Sequence, residues 1–138
     1  MKMVVYLCGG LKSGWQDKVK AAVPEAEYKD PREFKAIDPH DYTRHDIEAI
    51  NECKVVFAYL ERDNPGGMNL AFELGVAVGM CTSGHAKIII LVDEKSEDPQ
   101  FKRYAEMMRA SSDIVTDSLD DAVACLRKIV PLTYPLTA

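Results

Sequence analysis

The four cysteines, Cys8, Cys53, Cys81 and Cys125, are dispersed, with no CxxC pair and none of the clustered Cys/His spacing of a zinc ligand set. Neither a structural zinc site nor a disulfide framework is indicated, and the thiols read as small apolar residues of a reducing cytoplasm. No stretch approaches the roughly 18 consecutive apolar residues of a membrane span. The opening MKMVVYLCGG is too short in its apolar part for a signal peptide, so the expectation is a soluble cytoplasmic protein with no membrane partner. Basic charge is in deficit, with 17 Lys and Arg against 22 Asp and Glu. The resulting net charge of -5 argues against a nucleic-acid polymer or an anionic bilayer as partner. Neither GxGxxG nor GxxxxGK[ST] occurs, which removes the dinucleotide and nucleoside-triphosphate fingerprints. No metal or cofactor is expected.

What is present suits one domain. The 138 residues are 47% hydrophobic, enough for a substantial core and too few for a second domain. Apolar runs at residues 3–8, 55–60 and 88–92 are nearly continuous, as strands covered on both faces should be. Weaker strands are predicted at 25–28 and 113–115. Helical periodicity covers 15–23, 45–53, 69–81, 101–109 and 119–129, whereas 29–41 and 131–138 are expected to be the least structured stretches. The alternation predicts an α/β fold: a doubly wound, flavodoxin- or Rossmann-like, five-stranded and mainly parallel sheet with helices on both faces.

In such a sheet ligands bind outside the carboxyl ends of the strands. The run 57–75, FAYLERDNPGGMNLAFELG, joins an apolar strand through a Gly-Pro turn to a helix and brings Glu61, Asp63 and Glu73 toward one crevice. Close to a helix N-terminus the macrodipole favours an ionised carboxylate, as a nucleophile or a hydroxyl acceptor needs. An ordinary surface loop and acidic first turn would read the same way. Gly9 and Gly10, with Lys12 and Ser13, follow the first strand and open a helix, where backbone amides can meet an anion or hydroxyl; a tight turn needing glycine is the alternative. Trp15 either packs in the core or stacks on a planar base. Asp46 is either a helix-terminal acid or the partner of Glu73, since two nearby carboxylates can share displacement at an anomeric carbon. His40 and His45 receive no role.

At this point the chain resembles the nucleoside 2-deoxyribosyltransferase family. The matching segments are YLCGG, SGWQDKV, YKDPR, DIEAINECKVVFAYLE and DNPGGMNLAFELGVAVG, between residues 4 and 92. The most specific feature is Asp46 upstream of an apolar strand, followed by the AFELG motif that carries Glu73. The resemblance implies that residues 1–138 form one domain of this kind, in which Glu73 attacks C1′ of a 2′-deoxynucleoside to give a covalent deoxyribosyl intermediate. A second nucleobase then opens that intermediate with net retention. It implies that Asp46 binds and helps protonate the base, and that Asp63 or Asn64 is a further polar residue of the loop before the nucleophile. Tyr6, Gly9, Gly10 and Gly67 are carried over as substrate-binding by position. The partners implied are a deoxynucleoside and a free nucleobase. The family's oligomers, in which a neighbour completes each site, imply a homo-oligomer, with residues 107–112 and the C-terminal tail as contributors.

Two further readings stand beside the transferase. One is a hydrolase of 2′-deoxynucleoside 5′-monophosphates, with Ser13, Lys12 and the amides of Gly9 and Gly10 as phosphate donors; the first loop lacks the arginine that would favour it. The other is a non-catalytic nucleotide-binding module, against which the Asp46 and Glu73 pair weighs.

Overall fold

A computed structural model describes residues 2–62 and 67–132 of the chain, with Gly67 and Leu132 described in backbone only. Five strands, β1 (Val4–Gly9), β2 (Glu27–Lys29), β3 (Val55–Leu60), β4 (Ile88–Asp93) and β5 (Ile114–Thr116), form one sheet in the order β2-β1-β3-β4-β5. All four pairings are parallel, so the mainly parallel sheet read from the sequence is a fully parallel one among the described residues. Six helices connect or flank the strands: α1 (Trp15–Ala22), α2 (Pro39–Glu52), α3 (Gly67–Thr82), α4 (Pro99–Tyr104), α5 (Glu106–Ser111) and α6 (Leu119–Leu132). No described helix is long and apolar enough to cross a membrane.

The sheet divides the core into two layers, and strand alternation decides which residue enters which layer. Val5 and Leu7 of β1 join Trp15, Val19, Phe57, Val92 and Leu126 on the side of α1 and α6. Tyr6 and Cys8 point the other way, among Ile50, Val56, Leu70 and Leu74 beneath α2 and α3. Central β3 is buried at all six positions because helices cover both its faces, which explains its unbroken apolar run. The chain passes from β1 outward to β2 and then across to β3. This reversal opens a crevice at the carboxyl ends of β1 and β3.

Three stretches differ from the sequence reading. Helix α2 begins at Pro39, well before the expected residue 45, and a 3₁₀ turn (Pro31–Glu33) occupies part of what reads as loop. The cause is local capping: the carboxylates of Asp30 and Asp38 accept from the backbone N–H of Arg32 and His40, and each proline stands where its missing N–H is not needed. The helix expected over 101–109 is two helices that meet at Ala105. At the other end α6 runs through Pro131 to Leu132, and the rest of the tail lies outside the described residues.

Candidate active site

A cleft of about 800 Å³ lies at this crevice, within the range of roughly 300–1,000 Å³ common for small-molecule sites. One wall is the β1–α1 loop, from Gly9 to Ser13. Gly9 has φ +150, and a Cβ there would lie 2.6 Å from the Tyr59 carbonyl oxygen, so only glycine fits this close approach of β1 to β3. Gly14 caps α1 with φ 79, in the left-handed region. The carbonyl of Gly10 accepts from both Trp15 Nε1 and Gln16 Nε2, each at 2.8 Å, which ties the loop to the first turn of α1.

The opposite wall is the segment after β2, with Pro31, Phe34 and Ala36 facing the cleft. An ion cluster anchors its start. The Asp30 side chain is fully enclosed and meets Arg32 at 2.7 Å and Lys20 at 2.8 Å. Arg32 also holds Asp17 of α1 at 2.7 Å, while Lys20 reaches Glu33 at 2.8 Å. Burial pushes the Asp30 carboxyl up, but hydrogen bonds from Arg32 and Lys20 outweigh it and leave the group below its ordinary value. The motif YKDPR thus encodes a charged clasp between α1 and one wall of the cleft.

Helix α2 contributes Tyr42 and Asp46, one helical turn apart, and α3 contributes Asn69 and Glu73 at the same spacing. Glu61, just beyond β3, completes the lining and accepts a 2.9 Å hydrogen bond from Ser13 Oγ. Tyr6 lies behind Glu73, 1% exposed, and its hydroxyl donates to Glu73 Oε2 at 3.0 Å. The buried Cys8 thiol, on the same face of β1, bears on the Glu73 carboxyl electrostatically.

Burial dominates the protonation of both acids. Glu73 is raised above its ordinary value by loss of hydration; the Cys8 thiol and the hydrogen bond from Tyr6 oppose the shift, and the charge of Asp46 adds to it. The helix macrodipole is not what sets the direction of this shift. Glu73 is the seventh residue of α3, past the first turn where the dipole acts, and desolvation wins. Asp46 is also raised by burial, with His45 opposing. Tyr6 and Cys8 are both pushed far up, first by burial and then by the Glu73 charge, so each stays protonated beside that carboxyl.

The structure brings Asp46, Glu73, Gly9 and Gly10 to one cleft. Tyr6 reaches it only through Glu73. Trp15 is a core residue: 2% exposed, it stacks on Phe57 with ring centroids 6.0 Å apart and meets Tyr59 edge-on at 5.3 Å. Of its two sequence readings, core packing is the one found and substrate binding by Trp15 is set aside, because its first-turn position on α1 turns the indole into the sheet. Gly67 is the first residue of α3, and Asp63 and Asn64 lie outside the described residues. Sequence reasoning missed Phe34, Tyr42 and Asn69. The spacing of Asn69 to Glu73 could have found it, whereas Phe34 lies in a segment without periodicity.

No protein-family model matches the chain, and no curated protein matches it. Solved structures do. A 2-desoxiribosyltransferase from Leishmania mexicana superposes with TM-score 0.63 at 18% identity, over 91% of this chain and 97% of that one. A CMP N-glycosidase from Clostridium botulinum superposes with TM-score 0.57 at 18% identity, over 89% of this chain and 97% of that one. At that identity the likeness is one of fold, and it matches the parallel α/β architecture in nearly its whole extent.

Proposed function

We propose that the protein is a nucleoside 2-deoxyribosyltransferase that exchanges the nucleobase of 2′-deoxynucleosides. The observation that carries this reading is the Glu73 carboxyl, half-buried in the cleft and held by the Tyr6 hydroxyl at 3.0 Å, with Asp46 lining the same cleft. A desolvated carboxylate fixed in one rotamer is suited to attack, because little reorganisation remains.

The steps follow from that arrangement. A Glu73 carboxylate oxygen forms a bond to C1′ as the C1′–N bond breaks, and the departing base nitrogen takes the electron pair and a proton from Asp46. A second base then attacks C1′, releases Glu73 and returns a proton to Asp46. Two displacements at one carbon retain its configuration. Phe34 and Tyr42, 36% and 41% exposed at the cleft, offer flat apolar faces to a planar base. Both named structural neighbours act, by their titles, on substrates of this general chemistry, which supports a reaction at an N-glycosidic bond.

The alternative is hydrolysis of a 2′-deoxynucleoside 5′-monophosphate. Lys12 and the loop amides favour it. Against it stands Glu61, whose carboxylate on Ser13 puts negative charge on the loop a phosphate would occupy and suits a neutral 5′-hydroxyl. Transfer also requires exclusion of water, the competing acceptor. A second copy of the chain is the expected cover, and Met68 and Phe72, 84% and 56% exposed on the helix of Glu73, are the apolar residues for it, along with Met107 at 82%. Incubation of a deoxynucleoside and, separately, its 5′-monophosphate with a second free base, followed by product separation, tests the reading: base exchange on the nucleoside supports it, deoxyribose 5-phosphate released from the monophosphate points to hydrolysis, and both substrates unchanged to a binding module.

A further inference from the structure

His45 stands outside every role assigned so far. Its ring lies face to face with Phe34, centroids 3.7 Å apart and planes 1° from parallel, so the wall anchored by Asp30 and Arg32 clamps the imidazole against α2. Its Nδ1 is shut off from solvent and has no hydrogen bond among the described residues, while Asp46 Oδ1 lies 3.5 Å away. An enclosed nitrogen without a partner is costly, and a small rotation of the carboxyl would satisfy it.

We propose that His45 is a positioning residue for Asp46: clamped by Phe34, it offers Nδ1 to the carboxyl oxygen and thereby sets the rotamer and the protonation of the acid that meets the leaving base. The inference rests on the role given to Asp46 above. Three other titratable groups bear on Asp46 electrostatically: Tyr6 and Cys8 from β1 and Glu73 from α3. Tyr6 is a protonated donor committed to Glu73, Cys8 is held protonated by burial, and Glu73 as an anion repels a second negative charge. Of these neighbours, the imidazole alone can draw Asp46 toward its ionised form. A stacked ring cannot turn away from Asp46 without leaving Phe34. The consequence is a carboxyl held between two opposed influences, burial that favours its proton and His45 that favours its release. That is the condition for an acid which must both give a proton and take it back.

The test uses two substitutions in the full-length protein. His45→Phe keeps an aromatic ring for Phe34 and removes the nitrogen; His45→Asn places an amide nitrogen near the position of Nδ1. The Asp46 carboxyl is followed by carbon-13 NMR titration, with Asp46→Asn to assign the signal, and base exchange gives kcat and KM. We expect His45→Phe to move the Asp46 titration to higher pH and to lower kcat about tenfold with little change in KM, as misorientation of a catalytic group does. His45→Asn should recover most of both. A wild-type titration in His45→Phe overturns the proposal, as does an equal loss of kcat in both variants without movement of the titration, which would mark a packing role. If no base is exchanged by any form, the proposed reaction fails, while the titration still decides whether His45 governs Asp46.

Discussion

The Tyr6 hydroxyl donates to Glu73 Oε2 across the gap between β1 and α3. A phenol pushed far above its usual range remains a donor at any ordinary pH, so the contact stabilises the carboxylate and fixes its direction. Tyr6→Phe keeps the ring in its packed position and deletes only the hydroxyl. Loss of that constraint should lower kcat by roughly 10–100-fold with KM close to wild type, and should lower the melting temperature at neutral pH because a buried carboxylate loses its donor. Steady-state kinetics and a melting curve check this, and a fall in KM alone would contradict an orienting role.

Glu73 itself should show that function is held against stability. A carboxyl raised by burial favours the folded state least once it is ionised, so its cost is fully present above the folded-state value and vanishes below the unfolded value of about 4. Glu73→Gln should therefore be inactive yet melt at higher temperature than wild type at neutral pH. The gain should shrink toward zero in acid. Melting curves across pH measure it, and a constant difference would mean that ionisation is not the cause.

Asp46 has a different expected signature. If it protonates the departing base, Asp46→Asn should slow natural deoxynucleosides by about 10²–10⁴-fold and affect substrates with activated leaving groups much less. Equal losses on both would indicate binding of the sugar or base instead.

The clasp around Asp30 gives a test remote from the chemistry. Its carboxyl lies below the ordinary value in the folded chain, so its contribution is present above the unfolded value of about 4 and is lost as pH falls through the folded-state value. Asp30→Ala leaves Lys20 and Arg32 with no buried counter-charge and should cost about 3 kcal/mol in denaturant unfolding at neutral pH. Because the same residues anchor the wall that carries Phe34, KM should rise as well.

Much of this was legible from residue order. Continuous apolar runs marked β1, β3 and β4 because helices bury both faces of those strands, and the turn signals between them placed Asp46 and Glu73 at one crevice. What stayed hidden depended on contacts through space. The hydrogen bond of Tyr6 to Glu73 joins β1 to α3, and nothing in either segment alone announces it. The stack of Phe34 on His45 joins an aperiodic loop to a helix. Pro39 reads as a helix breaker, and only the Asp38 cap beside it makes it a helix start. Trp15 was ambiguous because an indole suits both a core and a base, and its place in the first turn of α1 decided for the core.

Every described residue that lines the cleft falls between Gly9 and Glu73, and none comes from β4, β5 or the helices that follow α3. Within one chain, the described residues after α3 therefore act on the cleft only through the sheet they cover, apart from exposed Met107, whose proposed place is against a second copy. Substitutions in α6, such as Leu126→Ala, should lower the melting temperature while leaving base preference untouched, and selectivity should be retuned from the first half alone. A library confined to positions 9–73 would then sample the selectivity of the cleft, and one confined to buried positions of β4, β5 and α6 would sample only its robustness.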